Sequence, residues 1–226
     1  MLIKQQFVLS RLNTYGGGNP CRFITIHETG NFSLGADAQA HANLQSRGYS
    51  ATWHYQVDDE QIIQSFPDDV RCWHAGDGRG KGNRESIAIE ICVHPNGNFV
   101  KAVKNAAHLV VILMNKHDIP IENVVQHHHW SKKNCPQLLR AGSRGVTWTD
   151  FIKMVKRKII TRRHPQTYKV NKVLNGYYTA NDAKQRVDKR TKVHPGIYHI
   201  FKEHGGMLNV TRMEGVPGSW INPEDN

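Results

Sequence analysis

The sequence has little cysteine and no long apolar run. Its 226 residues include four cysteines, and 38% of them are hydrophobic. No segment approaches the roughly 18 consecutive apolar residues that a membrane-spanning helix needs. Four cysteines are also too few for the disulfide framework of a small secreted domain. We therefore expect a soluble globular protein, in which Cys21, Cys72 and Cys92 serve as small buried hydrophobic side chains.

Acidic residues are scarce as well, with 19 Asp and Glu against 30 Lys and Arg, a formal net charge of +11. Such a surface attracts polyanions, which include nucleic acids, anionic membranes and the teichoic acids of a bacterial wall. No helix-turn-helix, zinc-finger or single-strand-binding signature accompanies the charge, which disfavours a nucleic-acid partner. The first residues show no apolar leader core or cleavage site, so we expect synthesis without a signal peptide.

Two parts of different character follow one another along the chain. Residues 1–158 alternate between strand and helix patterns, which predicts an α/β domain. Helical spacing covers residues 38–47, 101–117 and 147–158, and the last of these opens on a capping box of Thr147 and Asp150. Residues 159–167 are expected to form a linker. Residues 168–226 contain short runs between Gly and Pro turns, which predicts a small all-β module.

Residues 86–93 give the clearest strand pattern in the chain. Aliphatic side chains at alternate positions predict one face in the core, so that Glu90 points to the opposite face. A shorter strand pattern at residues 23–26 ends at His27. Another, at residues 53–57, follows a bend. His27 is therefore expected at the end of a strand.

Zinc-ligand chemistry is concentrated in residues 126–136. Of fourteen histidines in the chain, three consecutive ones precede Lys133 and Cys135 in this segment. Imidazole nitrogen and thiolate sulfur are the ligands that zinc favours. His127 and Cys135 can share one loop and meet a distant third ligand, for which His27 is the natural candidate. Three protein ligands leave a fourth position for water, the catalytic pattern; spacing alone leaves surface or structural histidines as the alternative.

Five blocks in this order resemble the type 2 N-acetylmuramoyl-L-alanine amidase family, the bacterial and phage relatives of peptidoglycan recognition proteins. They are residues 24–31, 53–59, 73–77, 86–91 and 127–136, and the similarity spans about the first two thirds of the chain. The resemblance implies a mixed β-sheet flanked by helices. It also implies a Zn²⁺ ion at the floor of a groove, with His27, His127 and Cys135 as its ligands.

The resemblance implies further roles in the groove. Glu90 matches the general base of many members, and Lys133 matches a residue that assists the substrate carbonyl. A surface carboxylate and a solvated loop lysine are the respective alternatives. His129 stands where many relatives carry Asp, either close to the metal or on the surface. Candidate substrate contacts are Trp73, His74 and His54, although a structural role is the alternative for both histidines.

The implied activity is zinc-dependent hydrolysis of the amide between N-acetylmuramic acid and L-alanine in bacterial peptidoglycan. A non-catalytic peptidoglycan-binding receptor of the same fold is the alternative. Receptor-type relatives commonly lack the zinc cysteine, so Cys135 favours the enzyme.

Residues 168–226 are similar to the Src-homology-3-like wall-binding modules of lysins and autolysins. That resemblance implies binding to a wall polymer of a Gram-positive host through Trp220, Tyr177, Tyr178 and basic side chains, unless these aromatics form the module's core. We therefore expect a phage or prophage endolysin, with an autolysin as the alternative. Such a protein is made in the host cytoplasm and acts at the cell wall as a monomer, without nucleic-acid or membrane partners.

Overall fold

The computed structural model describes residues 2–10, 13–163, 167–213 and 216–226. The chain divides into two compact units, Met1–Lys158 and Ile159–Asn226. The predicted linker, residues 159–167, opens inside a helix that continues to Arg163, and its residues 164–166 lie outside the described part. Among the described helices, none combines the length and apolar character that crossing a membrane requires.

A mixed six-stranded sheet forms the centre of the first unit, in agreement with the predicted fold class. Its strands are β1 (Ile3–Gln5), β2 (Phe23–Glu28), β3 (Tyr55–Val57), β4 (Ile62–Gln64), β5 (Ser86–Ile91) and β6 (Val124–Gln126). The strand order is β1-β4-β3-β5-β2-β6. The three pairs from β3 through β5 and β2 to β6 are parallel, whereas the pair of β3 with β4 is antiparallel.

Helices connect these strands, and their boundaries follow local capping chemistry. Asp37 caps the first helix by accepting a hydrogen bond from the Ala40 amide at 2.7 Å, and Asn98 caps the third in the same way through the Lys101 amide. The predicted capping box is present, since Thr147 and Asp150 exchange side chain-to-amide bonds of 3.1 Å. The helices are α1 (Ala38–Ser46), α2 (Lys81–Glu85), α3 (Phe99–His117), α4 (His128–Ser131), α5 (Gln137–Ala141) and α6 (Trp148–Arg163).

The core lies around β2 and β5. The isoleucines of both strands are fully buried, and so is Ala88 on the opposite face of β5. A strand covered on both faces is typical of parallel sheets. Glu90 is the residue of β5 that keeps partial exposure. The apolar face predicted for α3 is buried, and Cys21, Cys72 and Cys92 are buried as expected.

Strand register positions the functional side chains. In the parallel pairing of β2 with β5, His27 lies opposite Glu90. The chain leaves β6 directly into His127, whose amide donates to the Ile26 carbonyl at 3.1 Å. The carboxyl ends of three adjacent parallel strands therefore deliver these side chains to one edge of the sheet, where ligands bind in open α/β sheets.

The described strands of the second unit are β7 (Thr167–Val170), β8 (Leu174–Tyr177), β9 (Lys189–Val193), β10 (Gly196–His204), β11 (Met207–Thr211) and β12 (Ser219–Ile221). They form an antiparallel sheet of order β7-β10-β11-β12-β8-β9. A short α-helix, α7 (Ala180–Gln185), follows β8 in the sequence and departs from the all-β prediction. A capping box of Thr179 and Asp182 opens this helix, and its six residues are too few for a periodic pattern to be visible.

Candidate functional site

The structure brings His27, His127 and Cys135 together. One ligand atom of each lies within 4.8 Å of the other two. His27 comes from the end of β2, His127 follows β6, and Cys135 lies beyond the single turn of helix α4. All three side chains are buried.

These residues form a donor set that suits a zinc ion. Neither ring nitrogen of His127 has a hydrogen-bond partner of good geometry among the described residues, although the nearby Ala75 backbone acts to raise the pKa of the ring. Buried polar atoms are normally paired, so these nitrogens mark an interaction that side chains do not supply. Two imidazoles and one thiol match the nitrogen and sulfur ligands that zinc prefers.

Burial sets the protonation of the ligands. It lowers the pKa of His27 well below its usual value, with His74 and His127 adding to the shift, and it lowers the pKa of His127 to about 4. Both rings are therefore neutral and able to bind a cation near pH 7. Burial, reinforced by Glu90, raises the pKa of the Cys135 thiol to about 12. The thiol loses its proton when a cation takes the proton's place.

Glu28 holds the cysteine segment in place and was not singled out from the sequence. Its carboxylate accepts hydrogen bonds from the Leu138 and Leu139 amides at 2.7 and 2.9 Å, at the start of α5. Its own amide lies 3.5 Å from Cys135 Sγ. Such a cap is invisible in the sequence, because 110 positions separate Glu28 from Leu138.

Glu90 lies beside the three candidate ligands. Its Oε1 atom is 3.9 Å from His27 Nδ1, and its side chain is 14% exposed. The other carboxylate oxygen is buried without a hydrogen-bond partner among the described residues. Burial raises the pKa of Glu90 to about 8, against an opposing effect of Lys133 and with a contribution from Glu28. A carboxyl group with a pKa near neutrality suits proton transfer in both directions.

Two neighbouring cavities open onto these residues, with volumes of about 230 and 560 Å³. Ala51, His74, His127 and Lys133 line both. The smaller contains the candidate ligands and Glu90. The larger is walled by Trp73, which is 37% exposed and lies 5.4 Å from the ring of Tyr15. The predicted substrate contacts Trp73 and His74 therefore face open space beside the candidate metal site.

A glycine in the wall of the larger cavity allows that wall to approach the loop after β6. Gly76 has a φ of +69°, which favours glycine, and an added Cβ would lie 3.1 Å from Ser131 Oγ and 3.6 Å from His127 Nε2. The predicted groove-wall block at residues 73–77 therefore approaches the loop that follows β6.

His54 does not occupy the position of a substrate contact. It is fully buried and lines neither cavity. Its Nδ1 atom accepts from the Ala88 amide at 2.9 Å, and its Nε2 atom lies 2.8 Å from the Val70 carbonyl. Both ring nitrogens are thus used by the backbone, so we correct the expectation of substrate contact to a structural role.

Two further histidines near the site differ in exposure. His129 is exposed, with its ring edge-on to Trp130 at 4.6 Å, which matches the surface alternative. His41, for which the sequence indicates no partner, is buried and lines the smaller cavity together with Leu44. Its spacing of three from Leu44 on α1 places both on one helix face, but sequence alone does not show which face meets the cavity.

Fold and site together define an α/β domain with a candidate metal site of two histidines and a cysteine. The site lies at the carboxyl ends of parallel strands and carries a buried glutamate at its side. Comparison with known proteins adds the family. Residues 17–138, more than half of the chain, match the family model described as N-acetylmuramoyl-L-alanine amidase, and the chain belongs to this family.

Several relatives resemble the first unit. The N-acetylmuramoyl-L-alanine amidase XlyA of Bacillus subtilis (strain 168) is 47% identical over 130 residues, which are 57% of this chain and 42% of that protein. The solved catalytic domain of XlyA has a TM-score of 0.64 and 41% identity, covering 69% of this chain and 99% of the domain. A mutant endolysin from Bacillus subtilis gives 0.65 and 41%, with the same coverage. The chain spans about half the length of the curated relatives it matches.

The environment of His54 predicts an acid-sensitive contribution to stability. Burial lowers its pKa to about 4, against the opposing Val70 hydrogen bond, whereas an unfolded histidine titrates near about 6.5. Between these values the unfolded chain binds a proton that the folded chain does not. The contribution of His54 to the free energy of unfolding is therefore constant above pH 6.5, falls as the pH drops towards 4, and levels off below. By pH 4.5 the loss amounts to about 2–3 kcal/mol.

Urea unfolding with a metal chelator at pH 7.5 and 4.5 measures this loss. We expect His54→Gln to be less stable than the parent at pH 7.5 but to lose about 2–3 kcal/mol less on acidification. His129→Gln, at an exposed position, is the matched control and should keep the parent's pH dependence. Equal losses for His54→Gln and the parent would contradict the assignment.

Proposed function

We propose that the chain is a zinc-dependent amidase that hydrolyses the bond between N-acetylmuramic acid and L-alanine in bacterial peptidoglycan. The observation that carries the proposal is the convergence of His27, His127 and Cys135 within 4.8 Å beside Glu90 and an open cavity. Family membership supplies the reaction class. Three protein ligands next to open space match the catalytic arrangement of zinc rather than the closed structural one.

A zinc ion held by these residues would act as a Lewis acid on the scissile carbonyl and on a water molecule. The remaining work falls to side chains of this protein. Glu90 takes the proton of the attacking water and later delivers it to the leaving nitrogen. The Lys133 ammonium, which lines both cavities, stabilises the negative charge that develops on the carbonyl oxygen.

Substrate is proposed to lie along the two cavities. The Trp73 indole offers an exposed apolar face to a sugar or peptide, and the His74 ring borders both spaces. A non-catalytic receptor of the same fold is the other candidate, and the intact set of two histidines and one cysteine disfavours it.

Metal removal tests the proposed chemistry. After exhaustive chelation, we expect the protein to lose nearly all ability to clear a suspension of purified Gram-positive walls. Stoichiometric zinc should restore it, and mass spectrometry of the digest should show stem peptides with a free N-terminal L-alanine. Activity that survives chelation would contradict the zinc role. Zinc binding without any bond cleavage would support the receptor, and cleavage of another bond would refute the reaction.

The proposed base gives a second prediction. Glu90→Gln removes the proton acceptor at nearly constant volume, so we expect turnover to fall by about 10²–10⁴ while zinc content stays at one ion per chain. Glu122→Gln, an exposed glutamate outside the site, is the control and should retain parental turnover. Near-normal turnover of Glu90→Gln would remove Glu90 from the mechanism.

For the second unit we propose binding to an anionic wall polymer of a Gram-positive host. Tyr178 is 64% exposed, and the Arg190 guanidinium lies 5.5 Å above its ring. Lys189 and Lys192 are exposed on the same edge strand, β9. Tyr177 is instead fully buried, and Trp220 packs on its cluster; the core alternative therefore describes these two aromatics better than wall contact does.

The biological setting is proposed on the same basis. Curated relatives come from Bacillus, and a mutant endolysin from Bacillus subtilis is a structural neighbour. An endolysin of a phage or prophage, acting on the wall of a Gram-positive host, fits these relatives and the module proposed above. A bacterial autolysin is the alternative.

Co-sedimentation with purified walls tests the polymer proposal. The double variant Arg190→Gln/Lys192→Gln should lower the bound fraction several-fold, and the loss should match that of parent protein on walls stripped of anionic polymers. Lys153→Gln/Lys156→Gln removes the same charge from α6 of the first unit and serves as control. Unchanged binding of the β9 variant, or equal loss in both variants, would contradict a site on β9.

A further inference from the structure

A chain of hydrogen bonds runs from Trp130 through the buried side of the sheet to His27. Trp130 Nε1 donates to Thr25 Oγ1 at 2.9 Å, and Thr25 Oγ1 lies 2.9 Å from Ser86 Oγ. Ser86 Oγ donates to the Gly82 carbonyl at 2.6 Å and lies 3.4 Å from His74 Nε2. On the other side of that ring, His74 Nδ1 is 3.0 Å from His27 Nε2.

The direction of this chain follows from donor and acceptor chemistry. A carbonyl oxygen accepts and never donates, so the one hydroxyl proton of Ser86 is committed to Gly82. Ser86 Oγ can therefore act only as an acceptor towards Thr25 and His74. Thr25 in turn must donate to Ser86, which agrees with its acceptance of a bond from the Trp130 indole, a group that can only donate.

The same donor and acceptor reasoning shows which nitrogen carries the proton in the His74 and His27 rings. Because Ser86 Oγ accepts, His74 Nε2 carries the proton of that neutral ring, and His74 Nδ1 has a free lone pair. His27 Nε2 must then carry the proton that this lone pair accepts. The remaining lone pair of His27 is on Nδ1, the nitrogen that lies 3.9 Å from Glu90 Oε1 and therefore faces the proposed catalytic carboxylate.

We infer that Ser86, acting through His74, fixes the tautomer of His27 and makes Nδ1 its cation-binding nitrogen. His74 and Ser86 are thus positioning residues in addition to any contact of His74 with substrate. The inference rests on the proposed function in one respect, the binding of a cation at His27. Partners of this kind orient metal-binding imidazoles, and their loss typically weakens metal affinity by about 10–100-fold.

The burial of Thr25 and Ser86 explains why each hydrogen bond between Trp130 and His27 keeps one donor and one acceptor. Thr25 and Ser86 are fully buried and lie at neighbouring positions of β2 and β5, where Phe23 is paired with Ser86. Trp130 packs edge-on against Phe23 with ring centroids 5.2 Å apart. If the Ser86 proton turned towards His74, it would exchange a 2.6 Å bond to the buried Gly82 carbonyl for a contact of 3.4 Å, which is the weaker geometry.

Nitrogen-15 spectroscopy of the histidine rings tests the assignment. In the full chain loaded with zinc, we expect His27 to carry its proton on Nε2 and the metal on Nδ1; in the chelated chain, the same proton should remain on Nε2. Detection of the Nδ1-protonated tautomer in the chelated parent, or of zinc on Nε2, would overturn the inference. Neither reading depends on hydrolysis, so a failed wall assay would refute the proposed reaction without touching this assignment.

Variants test the relay, by which we mean the hydrogen bonds from Ser86 through His74 to His27. The quantity measured is zinc affinity, by competition with a chromophoric chelator. His74→Leu removes the acceptor and should weaken affinity by about 10–100-fold, whereas His74→Asn, which can offer an amide oxygen near the place of Nδ1, should restore most of it. Ser86→Ala should reduce the population of the Nε2-protonated His27 ring. Unchanged affinity in His74→Leu, or equal losses in the Leu and Asn variants, would contradict the relay.

A pair of tryptophan variants controls for packing. Trp130→Phe keeps an aromatic ring against Phe23 but removes the donor to Thr25, so we expect a measurable loss of zinc affinity. Trp148→Phe makes the same change at the start of α6, where the ring packs near Phe151, and should leave affinity unchanged. Equal effects of the two variants would overturn the role of Trp130 as the origin of the chain.

Discussion

The parallel pairing of β2 with β5 is the constraint on which the candidate site depends. Backbone hydrogen bonds place His27 opposite Glu90, and the amide of His127 is tied to the Ile26 carbonyl. A candidate ligand and the proposed base are thus positioned by the sheet rather than by loop conformation. A slip of one residue would turn one of these side chains to the other face, and the fully buried isoleucines of both strands oppose such a slip.

Burial at this edge has opposite effects on the two kinds of titratable group. It keeps His27 and His127 neutral, and it raises the pKa of Glu90 and of Cys135. A buried thiol and a buried carboxyl with raised pKa values are poor anions on their own, but a cation among them reverses that balance. The amides that Glu28 binds at the start of α5 further restrain the segment carrying the thiol. Protonation and geometry therefore favour the same occupant, a small divalent cation with nitrogen and sulfur ligands.

The sequence alone was enough to predict the features of this arrangement that local patterns encode. Strand alternation predicted the direction of Glu90, helical periodicity predicted the buried face of α3, and the capping box at Thr147 was visible as a short motif. Family resemblance predicted the mixed sheet and grouped residues from distant blocks. Contacts between distant segments were missed, namely the capping role of Glu28 and the position of His41 on the cavity wall. Neither leaves a periodic trace, because each depends on which surfaces the fold brings together. The helix α7 was missed for a different reason, since its six residues are too few to show a helical period.

Two histidines with the same preceding residue show where the local pattern stops being informative. His54 and His74 both follow a tryptophan, and both were candidates for substrate contact. The ring nitrogens of His54 form hydrogen bonds with a backbone amide and a backbone carbonyl. The ring therefore links β5 to the segment after β4 and has no nitrogen left for substrate. Those of His74 meet the His27 ring and the Ser86 hydroxyl, so its state is coupled to a candidate ligand. What a buried histidine does is decided by the partners of its two nitrogens, and those partners are a property of the folded chain.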